Sequence, residues 1–518
     1  MNYLKIIKSY FLRFPSLIYL SIFLLFLPVA LGIQFQHNDD WIYYLSVLGF
    51  LNGNFVLDPY IAATTYSQTA LGTLFSMVFG ITYLPVLTMF VSILSVYYFF
   101  KILNIRLKVK FLDSFLLSLI LLFNGIFVFT AIGFMTDNYF LCFFLASIYY
   151  LFDDKLYEAK NLKSLGFNFL LGSLFLILAY FTRQLGMLIP LALFIWLLLN
   201  KKTYYALINL FLFIIVALYH FFIFPKHSIS LEDNFLFSNL LYLRYIYSLF
   251  SALLFYFGFF CMPLVFPNLL NFDFKNKKWI YFLIGAIIFY FFNLVYFKSI
   301  WWVGSNDFAL RYVFQTKGFF VENLAGVKNG IFLDPFFYVR TFGRIIVATF
   351  VVYLLFYRKF EDFFNPYSIL LILYLGTFFI IEKIYDRYLI PAFPLFILAL
   401  SKNYLIENAL SGIRRRFLIL FLIFIGFISY NYASDYILTN NYVWGKSMEL
   451  VRLKVNPRAI TATDAWRYLY PRKNGVYKFT YDNPKLQEYS TKFELVDSYE
   501  IKYPLQLLNN TVYLYKLK

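Results

Sequence analysis

Charge is scarce in this chain, at 14% of 518 residues, and so are cysteine, with two, and histidine, with three. Cys142 and Cys261 both fall inside apolar runs, which excludes a disulfide framework and leaves two thiols that pack. No His/Cys spacing of the kind that holds zinc is present, so no metal site is read from the sequence. Acidic residues are the scarcer sign, 27 against 45 Lys and Arg, for a formal charge of +18. The basic residues lie in short clusters between apolar runs and draw no basic stripe on a folded domain, which excludes nucleic acid as a partner.

What is present is apolar: 62% hydrophobic residues, 24% aromatic, with 70 Phe and 47 Tyr. That share is far above a soluble domain's and predicts an integral membrane protein. With aromatics this abundant, no single ring is read as a substrate platform. The first apolar run follows Lys5, Lys8 and Arg13 like a signal peptide, but at about 20 residues it is long enough to span, and it lacks a small-x-small cleavage site.

Short polar breaks divide the chain into about thirteen apolar runs, and the expected class is an all-α polytopic membrane fold. The runs are 14–33, 83–101, 112–131, 139–152, 165–181, 185–199, 203–224, 240–266, 279–297, 341–357, 366–382, 389–405 and 415–432. With the N-terminus cytoplasmic, each return to that side carries a basic cluster. Lys101, Arg106, Lys108 and Lys110 mark the first return, and Lys402 with Arg414, Arg415 and Arg416 mark the last. That is the positive-inside pattern.

Two stretches do not fit simple crossings. Residues 34–82 form a first outer loop holding "HNDDWIYY" and "QTALGTLFSMVFG", read as one or two amphipathic helices in the interface. Residues 298–340 form a large outer loop whose Trp301 and Trp302 suit the membrane boundary. The transmembrane domain is set at 1–432. Residues 433–518 turn polar, and "GVYKFTY" and "TVYLYKL" alternate as strands do, which predicts a small extracytoplasmic α/β or β-rich domain.

The informative ionisable residues stand at the outer ends of helices: Asp39, Asp40, Asp137, Arg183, Arg311, Arg340, Arg344, Lys383, Asp386 and Arg387. Charges near hydrocarbon are costly and tend to face a protein interior or a watery cavity. A partly desolvated aspartate has the raised proton affinity of a general base, and arginine is a permanent fork matched to phosphate. Each has a plainer alternative. Asp39 and Asp40 can be a solvated loop or the N-cap of a helix starting at Trp41, Thr136 or Asp137 can cap the next helix, and Arg387 can pair with Asp386.

"NDDWIYYLSVLGFLNGNF", "SQTALGTLFSMVFG", "FMTDNYFLCFFLASIYYL", "YFTRQLGMLIPLALF" and "DRYLIPAFPLFIL" come in the order and approximate spacing of polytopic GT-C glycosyltransferases. The set resembles the bacterial family 39 type, related to protein O-mannosyltransferases and the aminoarabinose transferase of lipid A. It covers residues 10–200 and 380–400. The resemblance implies transfer of a sugar, with inversion, from a polyprenyl-phosphate donor to a lipid, glycan or protein hydroxyl. The reaction would take place on the outer face of a bacterial cytoplasmic (inner) membrane. It also implies an aspartate base in the first outer loop, with Asp40 first choice and Asp39 second. The usual Asp-Glu pair is here Asp-Asp, or Asp-Trp if Asp40 takes the first place.

A departing polyprenyl phosphate needs its charge neutralised more than it needs a general acid. Arg183 and Arg387 are assigned to that clamp, with Arg311, Arg340, Arg344 and Lys383 as helpers, and His37, Asp137, Gln184 and Tyr44 in support. No cofactor is required; a divalent cation on Asp39, Asp40 or Asp137 is compatible with the set, and the resemblance does not demand one. Two other classes stay open: a lipid-linked glycan transporter or flippase, which should show internal repeats and charges along a transbilayer path, and a non-catalytic scaffold of envelope polysaccharide assembly.

Overall fold

The computed structural model describes residues 14–224 apart from 38, 62 and 158–165, then 246, 249, 253, 256–264, 280, 284, 287 and 324. It continues with 364–401 apart from 382–384, and 412–518 apart from 472–474 and 483–491. The run at 341–357, most of the runs at 240–266 and 279–297, and nearly all of the loop at 298–340 lie outside these residues.

The chain is mostly helical with a small sheet. Its helices are α1 (Pro15–Leu31), α2 (Asp40–Leu51), α3 (Tyr66–Phe79), α4 (Leu84–Lys101), α5 (Phe111–Leu122) and α6 (Gly125–Ala131). After them come α7 (Thr136–Leu151), α8 (Gly166–Tyr180), α9 (Leu188–Leu199), α10 (Thr203–Leu218), α11 (Pro366–Phe378), α12 (Ala392–Ser401), α13 (Ile413–Arg452) and α14 (Asp464–Leu469). Among the described residues three helices are long and apolar enough to cross a membrane: Ile81–Arg106, Thr203–Ile223 and Arg414–Arg452. The pair α5 and α6 makes a fourth if its 66° bend counts as one span. The break has a local cause: Asn124 takes an extended backbone and its side chain accepts from the Ile126 N–H, starting a new helix. Its amide also donates to Tyr256 Oη at 2.8 Å, which fixes the bend in the core.

Residues 34–82, expected as the first outer loop, hold two helices, α2 and α3. Helix α3 buries its polar residues Ser67, Gln68, Thr69, Thr73 and Ser76 and exposes Leu74, Met77, Val78 and Phe79. This inversion of the soluble pattern suits an element with protein on one side and lipid on the other. Gln68 Nε2 donates to the Phe134 carbonyl at 2.8 Å, docking α3 on the turn between α6 and α7.

The 40 residues of α13 rise about 60 Å at 1.5 Å each, so the helix runs without a break through the expected boundary at 432. Beyond the apolar stretch it buries Asn431, Asp435, Thr439 and Asn440 against the C-terminal region. Asn431 Oδ1 accepts from the Leu507 N–H at 2.7 Å and Asp435 Oδ1 from Asn510 Nδ2 at 2.8 Å. The helix therefore belongs to both parts of the molecule.

The C-terminal sheet is ordered β1-β2-β4-β3, from β1 (Ile460–Thr461), β2 (Tyr477–Thr480), β3 (Phe493–Glu500) and β4 (Thr511–Leu517). β1 and β2 are parallel, joined through α14; β4 is antiparallel to both β2 and β3. The two strands expected from alternation are neighbours, with Tyr477 opposite Lys516 and Thr480 opposite Tyr513. Val512 and Leu514 point into a core with Trp466, Phe479, Ile501 and, from α13, Val443 and Leu450.

Candidate functional site

His37 and Asp40 bond to each other at the start of α2. The Asp40 N–H donates to the His37 carbonyl at 2.8 Å, and the His37 N–H donates back to Asp40 Oδ2 at 3.2 Å. This reciprocal bonding turns the Asp40 side chain inward, to 5% exposure, while Asp39 stays about one-third exposed. Asp39 occupies the N-cap position of α2, yet its side chain makes no capping bond.

Arg387 claims Asp39 instead. Its Nη1 donates to Asp39 Oδ2 at 2.7 Å across 348 residues of sequence, and its Nε lies 3.8 Å from Asp137 Oδ2. The other oxygen of Asp137 accepts from Arg183 Nη2 at 2.8 Å, and Arg183 also donates to Thr136 Oγ1 from Nε and Nη2. The result is an alternating chain, Asp39–Arg387–Asp137–Arg183, in which Asp137 is 2% exposed and each arginine side chain 9%. Neither Thr136 nor Asp137 caps α7, whose N-cap is Met135; both serve the guanidinium of Arg183. Aromatic faces complete the surroundings: Arg183 sits 4.5 Å above the Tyr388 ring and Arg387 4.7 Å above that of Tyr385.

Beneath the turn, His37 is fully buried. Its Nδ1 lies 2.9 Å from Tyr436 Oη on α13, and its ring packs edge-on against Phe129 at 4.3 Å. Burial pushes the imidazole down to about 3, and the charge of Arg387 adds to this. Burial likewise raises Asp40 well above the usual carboxylate range, opposed by the Phe134 and His37 amides. No other hydrogen bond of good geometry reaches Asp40 Oδ1 or His37 Nε2 among the described residues. Gly133 fits because it has no side chain: a Cβ there would stand 2.5 Å from His37 Cβ and 2.8 Å from Asp40 Cγ.

Of the expected site residues, the fold gathers His37, Asp39, Asp40, Asp137, Arg183 and Arg387. Gln184 opens the short helical turn Gln184–Met187 directly after Arg183, and Tyr44 lies half-buried on α2. Arg311, Arg340, Arg344 and Lys383 fall outside the described residues. The two aspartates differ in access: Asp39 is about one-third exposed, while Asp40 is folded under the turn. Asp39 and Asp137 face guanidinium groups, Asp40 faces backbone amides, and no three His, Cys, Asp or Glu converge among the described residues. Gly133, Tyr385, Tyr388 and Tyr436 were not singled out by sequence, and Thr136 was read only as a cap. The tyrosines flanking Arg387 in "YDRYL" were the available signal for two of them.

No family model, curated protein or solved structure matches this chain.

Proposed function

We propose that the chain is a GT-C-type membrane glycosyltransferase, with polyprenyl-phosphate sugar as donor and a hydroxyl on the outer side of the membrane as acceptor. The carrying observation is the 2.7 Å pair between Asp39 and Arg387, which sets a one-third-exposed carboxylate beside an anion-binding fork. Asp39 takes the proton of the acceptor hydroxyl as its oxygen attacks the anomeric carbon. The bond from that carbon to the phosphate oxygen breaks on the opposite face, and configuration inverts.

The leaving phosphate needs a cation that can give up part of its pairing. Arg387 meets this need, since Asp137 still balances it when a phosphate displaces Asp39. Arg183 holds Asp137 in place and adds positive potential from a buried position. Asp40 is the positioning residue that folds the turn and aims Asp39 outward.

The test is a transfer assay with purified protein in lipid, using radiolabelled polyprenyl-phosphate sugars and membrane extract as acceptor. Asp39→Asn is expected to cut transfer by about 10²–10⁴-fold, the range for loss of a general base. Asp40→Asn should retain more activity. Full turnover by Asp39→Asn would refute the base assignment, and label crossing the bilayer unchanged in wild type and both variants would replace the transferase with a transporter.

A further inference from the structure

Trp41 follows the two aspartates, and its ring meets aromatics from two other segments. It stacks on Tyr468 of α14, with centroids 5.5 Å apart and planes 9° from parallel, and leans on Tyr60 at 5.8 Å and 56°. Tyr468 is 63% exposed and Tyr60 58%. Neither is left to wander: the Tyr60 N–H donates to Asp58 Oδ1 at 3.0 Å, and the Asp58 N–H donates to Ser46 Oγ on α2 at 3.1 Å. Tyr468 rides on a helix pinned by the fully buried Trp466.

Exposed aromatics in a membrane protein usually mark the lipid boundary. Here Trp466, two residues before Tyr468, is core, and the half-exposed Arg467 between them pairs with Asp464, a charged neighbour that favours a watery surrounding over hydrocarbon. A cluster of exposed rings on an ordered frame marks an interaction site. The C–H face of a sugar ring is apolar with a slight positive edge, and its hydroxyl rim is polar. That matches the negative face of an aromatic ring together with the phenol hydroxyls and the Asp39 carboxylate at the start of the same helix.

We infer that Trp41, Tyr60 and Tyr468 form a saddle that binds a sugar ring of a carbohydrate acceptor, with Tyr468 bringing the C-terminal domain into acceptor recognition. This rests on the transferase reading above and narrows its acceptor from any hydroxyl compound to a glycan.

The test is binding without donor or turnover, so that it can fail separately from transfer. Full-length protein in detergent is titrated with a panel of neutral trisaccharides (maltotriose, cellotriose, mannotriose and chitotriose), and its tryptophan fluorescence is followed. At least one is expected to give a saturable change that Trp41→Phe abolishes. Tyr468→Ala should weaken binding at least tenfold at an unchanged melting midpoint, and Tyr468→Phe should keep most of it. The inference is overturned if no trisaccharide gives a saturable signal, or if Tyr468→Ala and Tyr60→Ala bind as wild type. It is equally overturned if brominated lipid quenches Trp41 in vesicles, which would make the saddle a lipid anchor.

Discussion

Replacing Asp137 by Asn removes the one negative charge that touches both arginines. In a medium of effective dielectric about 20, Coulomb attraction at 2.8 Å and 3.8 Å amounts to about 6 and 4 kcal/mol before desolvation is counted. Desolvation offsets most of that in a buried pair, yet removing one partner leaves the other buried and uncompensated, at about 3–5 kcal/mol. Asp137→Asn should fall in that range, since Arg183 is left with the neutral Thr136 hydroxyl and the Tyr388 ring, and the carboxylate nearest Arg387 is then the one-third-exposed Asp39. Four charges in alternation sum to zero, so adding Arg183→Gln to Asp137→Asn restores neutrality. The double variant should then unfold about 1–3 kcal/mol later than Asp137→Asn alone. Tryptophan fluorescence in one detergent, at one heating rate, ranks the three proteins by midpoint. A double variant whose loss equals the sum of the two single losses would refute the coupled chain and leave two independent contacts.

Gly133→Ala should cost about 1–3 kcal/mol by overpacking and should lower transfer together with Asp40→Asn, because its methyl group drives His37 and Asp40 apart; an unchanged midpoint and rate would show a looser turn. His37 is neutral when folded and titrates near 6.5 when unfolded, so its contribution is present above that value and is lost as pH falls towards about 3. Asp40 has the opposite sign: raised when folded, it stabilises below its unfolded value and loses that contribution as pH rises through its folded value. Asp40→Asn should therefore expose the histidine slope, about 2 kcal/mol lost between pH 6.5 and 5, and His37→Gln should expose a stability that declines as pH rises. Parallel midpoint-against-pH curves for the two variants would contradict both assignments.

The apolar runs and their basic flanks were enough to locate most described helices. Span 203–224 appears as Thr203–Ile223, and span 83–101 sits inside Ile81–Arg106. The bend at Asn124 escaped because the residues on either side are as apolar as those of a straight span. The length of α13 escaped for the opposite reason. Asn431, Asp435, Thr439 and Asn440 resemble the start of a soluble domain when no neighbour is known, and the Leu507 and Asn510 contacts show what meets the first two. Composition reports which residues can be buried in lipid; it does not report which polar residues are buried in protein.

The same distinction governs the site. Each of Asp39, Asp137, Arg183 and Arg387 was legible as a charge at the outer end of a helix, because hydrocarbon penalises charge wherever it falls. Their pairing was not legible, since Asp39 and Arg387 are 348 residues apart and local signals pointed to caps and to Asp386. The two aspartates were the hardest to separate. Adjacent residues at a helix start point about 100° apart, and which one meets solvent depends on where the turn closes. Here it closes on His37, whose ring is held by Tyr436 from the C-terminal half of α13. The different exposures of Asp39 and Asp40 thus depend in part on a residue from the far end of the chain. A change at Tyr436 should act on the first outer loop before it acts on the C-terminal sheet.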